Sequence, residues 1–363
     1  LGTGFSGSLR PLELGLVGRI NALAQRAFIF SLDIPSGLSG LTGRPCPVAV
    51  RAHATVTFEA AKPGLVLPEA APYTHIRPIG IPAVARREHP ASYQMITKAI
   101  AGAFPEAAPG WHKGTAGAIL IVGGSEGLTG APHLAARAAL RAGGGLISVA
   151  PHGLCRDIKA DCPDIMTRAL GPAGNVRWSP ALLEELLPFL RQCGAMVLGP
   201  GIGREPETAA FVQALLMCPS RPSAVVDADA LHALAMHPEA LSSLRACDVL
   251  TPHPGEAATL LHTTPALVQA DRFAALAGLR RLAPSVWILK GAGTLIGTEG
   301  QPVTIAPYAE PNLAVGGSGD VLSGCLGTLM AQTAAHPSEG CESSSFLAAC
   351  MGVHLHARAG RLL

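Results

Sequence analysis

From Ser92 to the end of the chain, short apolar runs alternate with segments whose apolar residues recur at helical spacing. The runs predict strands at Ala118–Val122, Leu146–Ala150, Ala195–Leu198, Ala224–Val226, Val249–Leu250, Val286–Leu289 and Thr294–Ile296. The helical pattern covers Ala131–Ala142, Pro180–Arg191, Pro206–Met217, Leu231–Ala235, Glu256–Leu261, Pro265–Leu282 and the apolar stretch Val321–Met330. Apolar strands separated by amphipathic helices predict an α/β fold with a mostly parallel sheet covered by helices on both faces. Ligands in such sheets lie beyond the carboxyl ends of the strands. The Gly-rich segments follow strands, so they are expected on that one edge. Before Ser92 the pattern is weaker: a helix over Leu12–Ala27, strands over Phe28–Ile34 and Ala54–Phe58, then a Pro-rich loop and linker from Pro63 to Pro90. Two domains are expected, 1–90 and 91–363, with no internal repeat.

Composition narrows the picture. A chain of 363 residues with 48% hydrophobic residues fills a substantial core, and the net charge of +2 gives no electrostatic case for nucleic acid or a membrane surface. The nine Cys form no CxxC pair and no metal-ligand spacing, so reduced thiols in a cytoplasmic protein are expected. No apolar run reaches ~18 residues, so no membrane span is expected. The chain opens on Leu1 rather than Met, with no secretory signal visible; part of the natural N-terminus is expected to be missing. Lysine occurs only at positions 62, 98, 113, 159 and 290, which draws attention to Lys290 inside a Gly-rich loop.

Two loops carry the candidate chemistry. In Pro311–Gly324, small residues (Gly316, Gly317, Ser318, Gly319) let the backbone close around a ligand, and Asp320 sits at the mouth of the apolar helix. Unpaired N–H groups and the helix dipole favour an anion there, and the carboxylate can act as a base or orient a hydroxyl beside it. A Gly-rich turn with Asp320 as an N-cap is the plain alternative. In Lys290–Thr294, which follows a strand, backbone N–H groups, an ammonium and a hydroxyl suit phosphate oxygens, although the P-loop pattern is absent.

Further motifs lie at other predicted strand ends. Val122–Ala131 contains Gly123-Gly124-Ser125-Glu126-Gly127, but several loop residues separate Ser125 from the next helix, unlike a nucleophile elbow. Leu198–Gly203 permits close backbone approach to a ligand. In Asp227-Ala228-Asp229, two acids at a strand end could hold Mg²⁺ through water or cap the next helix; Asp229 is expected to cap the helix starting at Leu231 and Asp227 to shape the site. His253 stands between Pro252 and Pro254, which fix its backbone.

Together these loops resemble the ribokinase-like superfamily, and the motif set is similar to the ADP-dependent NAD(P)H-hydrate dehydratases within it. The resemblance implies a ribokinase-like fold and removal of water from the S form of hydrated NADH or NADPH. It implies substrate contacts at Ala131, Gly203, His253 and Asp320, with Asp320 and His253 catalytic. ADP would lie on Lys290, Gly291, Ala292, Gly293, Thr294 and Gly319, with Mg²⁺ accompanying the nucleotide. Leu32-Asp33-Ile34-Pro35-Ser36-Gly37, Thr57-Phe58 and Lys62-Pro63-Gly64-Leu65 resemble the second half of the NAD(P)H-hydrate epimerases, implying a partial Rossmann-like domain. There Asp33 would serve the substrate and Ser36 help ligate K⁺. Gly2-Thr3-Gly4-Phe5-Ser6-Gly7, a weak GxGxxG, belongs to the same stretch. The epimerase site is expected to be incomplete, the enzyme a homo-oligomer, and the partners small molecules. The alternatives are a vitamin-precursor kinase on the same fold, with Asp320 as its base, a nucleotide sensor, and, last, a serine hydrolase.

Overall fold

The computed structural model describes residues 7–66, 73–107, 109–151, 153–172, 174–175, 177–335 and 344–363. They divide into two compact units. One comprises Leu1–Met95, Ala292–Thr294 and Pro302–Ala309, the other Ile96–Gly291, Leu295–Gln301 and Glu310–Leu363.

In the first unit, helix Pro11–Leu23 opens with a proline at its first turn, and Glu13 accepts the Arg10 backbone N–H at 2.9 Å. Three short strands follow, β1 (Phe30–Leu32), β2 (Ala54–Phe58) and β3 (Thr74–Arg77), parallel and in the order β1-β2-β3. The stretch Pro63–Pro90, expected to be loop, thus supplies β3 and also helix Ala83–Glu88. Thr74–Arg77 is largely exposed and carries little apolar pattern; backbone pairing with β2 makes it a strand. β4 (Tyr93–Met95) pairs in parallel with Val303–Ile305, and Gln94 Nε2 donates to Thr304 Oγ1 at 2.8 Å. All of Gly2–Gly7 except Gly7 lies outside the described residues.

The second unit carries β5 (Ala118–Val122), β6 (Leu146–Ala150), β7 (Met166–Thr167), β8 (Ala195–Leu198), β9 (Ser223–Val226), β10 (Val249–Leu250), β11 (Val286–Leu289) and β12 (Leu295–Gly297). Their order is β12-β11-β10-β9-β8-β5-β6-β7. All neighbours are parallel except β12, which runs antiparallel to β11. From β5 the chain moves outward to β6 and β7, then returns with β8 on the other side of β5. This reversal is the topological switch point at which open α/β sheets form ligand crevices. β8, β10 and β11 are buried at every position, as expected for strands covered on both faces.

One helix brings the predicted acid to that edge. Ser318–Ala335 is buried over most of its length and packs on helix Gly130–Arg141 and on the final helix Ser344–Arg361. The first contact is so close that a Cβ on Gly324 would fall 2.0 Å from the Ala135 carbonyl oxygen. Thr328 Oγ1 donates to Ala139 O at 3.0 Å along the same seam. Contrary to the expectation that every Gly-rich segment follows a strand, Gly316–Gly319 follows a single 3-10 turn, Pro311–Leu313. The helix expected over Pro265–Leu282 is two, Pro265–Ala270 and Arg272–Leu282; Asp271 breaks it and caps the second, accepting Ala274 N–H at 2.9 Å.

β9 and β10 are joined at their amino ends by a buried ion pair. Arg221 donates through Nη1 and Nη2 to Asp248 at 2.8 and 2.6 Å, and Asp248 also accepts the N–H groups of Ala224 and Arg245. Removing one partner would leave the other charge buried and unpaired, at a cost of roughly 3–5 kcal/mol. Asp248→Ala is therefore expected to lower the unfolding free energy, read from denaturant titration, by an amount in that range; a loss below about 1 kcal/mol, the scale of an exposed pair, would show that solvent reaches Arg221.

Candidate active site

The loops after β5 and β8 lock together at the switch point. Gly124 N–H donates to Pro200 O, and Ser125 Oγ donates to Gly201 O, both at 2.9 Å. The Ser125 hydroxyl thus serves loop structure. Ala131 lies in the first turn of helix Gly130–Arg141 and meets the β8 loop: a Cβ on Gly201 would be 3.2 Å from the Ala131 Cβ. Gly203 N–H donates to Asp229 Oδ2 at 3.2 Å, and Arg204 Nε to Asp229 Oδ1 at 2.7 Å. Asp229 therefore holds the β8 loop, rather than capping the helix as expected. That helix begins at Asp229 itself, behind Ala228, and has no side-chain cap.

Asp227 closes the end of β9 and is wholly buried. Its Oδ1 accepts from Lys290 Nζ at 2.8 Å and its Oδ2 from Ser323 Oγ at 2.5 Å. Burial opposes ionisation of Asp227, but Lys290, Ser323 and Thr251 outweigh it and hold the carboxyl below its usual range. Lys290 is the counterpart: burial disfavours the ammonium, and Asp227 and Glu256 more than restore it, raising its pKa. Gly319, at the mouth of the long helix, lies directly beside this pair. A Cβ there would be 3.3 Å from Lys290 Nζ and 3.6 Å from Asp227 Oδ2.

Asp320 follows in the first turn of the same helix. Burial, then the Asp227 carboxylate, push its pKa up to about 6 against the pull of Lys290. A carboxyl poised there exchanges a proton near neutral pH, which an ordinary aspartate does not. Just before it, Ser318 Oγ is paired with His356 Nε2 of the last helix at 3.2 Å.

His253 is the N-cap of helix Pro254–Leu260, and its exposed imidazole lies at the carboxyl end of β10. Nδ1 accepts the Gly255 N–H at 2.9 Å, which places the proton of the neutral ring on Nε2. Burial and the Lys290 charge lower its pKa and so favour that neutral form. Glu256 completes the capping box, accepting His253 N–H at 2.7 Å, and its Oε2 lies 3.8 Å from Lys290 Nζ. Burial is the main cause that pushes the Glu256 carboxyl up to about 7.

The Lys290–Thr294 loop divides between the two units. Lys290 N–H donates to Pro252 O at 2.9 Å, and a Cβ on Gly291 would meet Arg272 Nη1 at 2.3 Å. Ala292, Gly293 and Thr294 belong to the first unit, where Gly293 N–H donates to Tyr308 O and Ala306 N–H to Thr294 O. Lys290, Asp320, Gly319 and His253 are thus gathered about one charge network in the second unit. Asp227, Glu256 and Ser323 join them without having been singled out from the sequence for a direct role. For Asp227 the signal was present: an acid ending a buried apolar strand.

A sequence profile of the NAD(P)H-hydrate dehydratase family matches residues 119–363, which contain this whole network. The chain belongs to the NAD(P)H-hydrate dehydratase family. A profile of the YjeF-related protein N-terminus matches residues 1–64. The chain is 40% identical over 366 residues to the bifunctional NAD(P)H-hydrate repair enzyme Nnr of Moorella thermoacetica, covering 99% of this chain and 66% of that protein. It is 35% identical over 337 residues to the Coxiella burnetii enzyme of the same name, covering 92% and 65%. The chain thus spans about two thirds of the length of these relatives. Among solved structures, a ribokinase-like superfamily protein from Enterococcus faecalis aligns with TM-score 0.61 and 21% identity, over 74% of this chain and 87% of that one. The ADP/ATP-dependent NAD(P)H-hydrate dehydratase of Bacillus subtilis, co-crystallised with ATP/Mg²⁺, aligns with TM-score 0.55 and 22% identity, over 72% and 86%. The fold is ribokinase-like, as the motifs implied.

In the first unit Asp33 is buried at the end of β1. Its Oδ1 accepts from Lys62 Nζ at 2.5 Å, Phe58 N–H at 3.0 Å and Thr57 Oγ1 at 3.1 Å. Burial opposes its charge, yet these donors hold the carboxyl below its usual range. Ser36 is half-buried in the following turn, and its carbonyl accepts Val50 N–H at 2.9 Å. Among the described residues no group of three or more His, Cys, Asp or Glu side chains is placed to hold a metal ion. No helix of the described residues is long and apolar enough to cross a membrane.

The raised Glu256 has a measurable consequence. Its carboxyl binds a proton more readily folded than unfolded, so its contribution to stability is complete below the ordinary carboxyl value of 4.5 and is lost as pH rises through about 7. Relative to Glu256→Gln, the wild type should lose thermal stability between these two pH values. Melting curves that stay parallel throughout would place Glu256 in water.

Proposed function

We propose that this chain catalyses ADP-dependent dehydration of the S form of hydrated NADH or NADPH, returning the intact nicotinamide cofactor. Residues 91–363 form the dehydratase domain and residues 1–90 part of an epimerase domain. The observation that carries the reading is a buried cation and a proton-exchanging acid at one helix mouth: Lys290, held by Asp227, lies beside Gly319, and Asp320 is the next residue.

Each part meets a need of the reaction. Hydroxide is a poor leaving group, so the site must take part in its departure. Asp320, its pKa pushed up to about 6, orients the ring hydroxyl and exchanges its proton. His253 presents an imidazole with its proton on Nε2, suited to donating a hydrogen bond to the bound ring. Ala131 and the Gly203 loop form the wall at the switch point, where they limit water. The nucleotide is tested by the donor set: a fixed ammonium, Gly-rich backbone and the start of an 18-residue helix fit an anion. Lys290, Gly291 and Gly319 would hold its phosphates. Bound ADP supplies phosphoryl chemistry that can ease the departure of a hydroxyl. Mg²⁺ would accompany those phosphates, as it ordinarily does, rather than occupy an all-protein cage.

The N-terminal residues support a remnant of the epimerase site, with Asp33 as its acid. Ser36 would offer K⁺ its hydroxyl, while its carbonyl accepts the Val50 N–H. The relatives' names fit an enzyme acting on small molecules; a cytoplasmic homo-oligomer is part of the same proposal.

Regeneration of NADH absorbance from its S hydrate tests the reading. The chain should restore absorbance with ADP and not without a nucleotide. Asp320→Asn should fold normally and lose at least ~10²-fold in turnover, a typical loss for removed acid–base help. ATP-dependent phosphorylation of an unrelated alcohol, with no action on the hydrate, would overturn it.

A further inference from the structure

Lys290, Ser323 and Gly319 all converge on Asp227, a residue with no role assigned to it in binding substrate or nucleotide. Both carboxylate oxygens are engaged, one by Lys290 and one by Ser323. Ser323 Oγ also lies 3.0 Å from Gly319 O, so its one hydroxyl proton sits between Asp227 and the first turn of the long helix. The next residue, Ala228, has φ 51° and ψ −126°, a backbone conformation that L residues rarely adopt. That distortion turns Asp227 inward to Lys290 while Asp229 turns to the Gly203 loop. Strain of this kind persists only where the surroundings over-determine it. A buried ion pair is weak support for stability, since well-packed apolar residues often serve as well. Its position against Gly319 gives it another use.

We propose that Asp227 is a positioning residue for the reaction: with Ser323 it pins the Lys290 ammonium beside Gly319 and fixes the field in which Asp320 exchanges its proton. Deepening the dehydratase reading, the assignment also rests on it. Without Asp227 the ammonium could swing toward Glu256, 3.8 Å away, or toward solvent. The charges acting on Asp320 are Asp227, Lys290 and Asp229. Of the neighbours on packed elements, Glu256 faces Lys290, Arg204 neutralises Asp229, His356 of the last helix is bound to Ser318, and His133 of helix Gly130–Arg141 is bound to Ile158 O. Asp227 is therefore the adjacent carboxylate whose removal changes that field most.

Two readouts on Asp227→Asn in the full chain separate positioning from simple structural support. The first does not depend on the reaction. With only five lysines in the chain, labelling by an amine-reactive reagent can be followed at each by peptide mass spectrometry. Lys290 should react slowly in the wild type. In Asp227→Asn it should react at least about tenfold faster, because an unpaired buried ammonium gives up its proton more readily. Lys62, Lys98, Lys113 and Lys159 should be unchanged. The second is the pH profile of hydrate turnover: the midpoint assigned to Asp320 should move down by about one pH unit, since a neighbouring negative charge is gone. Should Asp227→Asn fail to fold, Ser323→Ala, which loosens one oxygen of the same carboxylate, should raise Lys290 labelling in the same direction. Unchanged Lys290 labelling in a folded variant would overturn the pin, and a slower enzyme with an unmoved midpoint would overturn the tuning. Faster labelling in a chain without hydrate turnover would support the pin while defeating the dehydratase reading.

Discussion

The buried pair between Asp227 and Lys290 is the constraint on which the candidate site depends. Each charge would be costly alone in this part of the fold. Paired, they place one ammonium at a fixed point beside the helix mouth and one carboxylate behind it. Asp320, Glu256 and His253 all take their altered proton affinities partly from these two groups. Both carboxyls rise and the imidazole falls, so each of the three departs from its ordinary proton affinity, and the two carboxyls move into the range where acid–base work near neutral pH is done.

The fold makes the pair inescapable by supplying each member from a different strand end. Asp227 ends β9, Lys290 follows β11, and His253 and Glu256 follow β10, which lies between them. The parallel register therefore brings four chemically distinct side chains to one edge without a long loop. The helix Ser318–Ala335 then adds Gly319, Asp320 and Ser323 from above that edge, anchored by its close seam with helix Gly130–Arg141. A mutation that widens this seam, at Gly324 for example, would move the acid and the anion-binding backbone together.

Much of this was legible in the sequence because β5, β6, β8, β10 and β11 are apolar runs, interrupted only by Ser148 in β6, bounded by Gly, Pro or polar residues. Burial on both faces produces that signal, and all five appear where the pattern placed them. β3, β4, β7 and Val303–Ile305 were not legible: they are two to four residues long and are fixed by pairing rather than by apolar content. At the site, Asp320, Lys290 and His253 stood out by residue type and loop context. Asp229 was misjudged because capping is the usual role of an acid at a helix start, whereas here the backbone turn at Ala228 sends it to Gly203 and Arg204. Asp227 and Lys290 are separated by 63 positions, so their contact could not be read from spacing.

If the pinned Lys290 ammonium, rather than the Gly-rich backbone alone, gives the proposed site its hold on a phosphate-bearing nucleotide, the charge at this position sets nucleotide affinity. Replacing Lys290 alone would strand a buried carboxylate and confuse binding with folding. Titration calorimetry of ADP into the double variant Lys290→Met/Asp227→Asn removes both charges together and keeps similar volumes, so the fold should melt at or near the wild-type temperature. ADP affinity should be at least about tenfold weaker, the scale of one lost charge-assisted contact. An intact double variant that binds ADP as tightly as the wild type would contradict it.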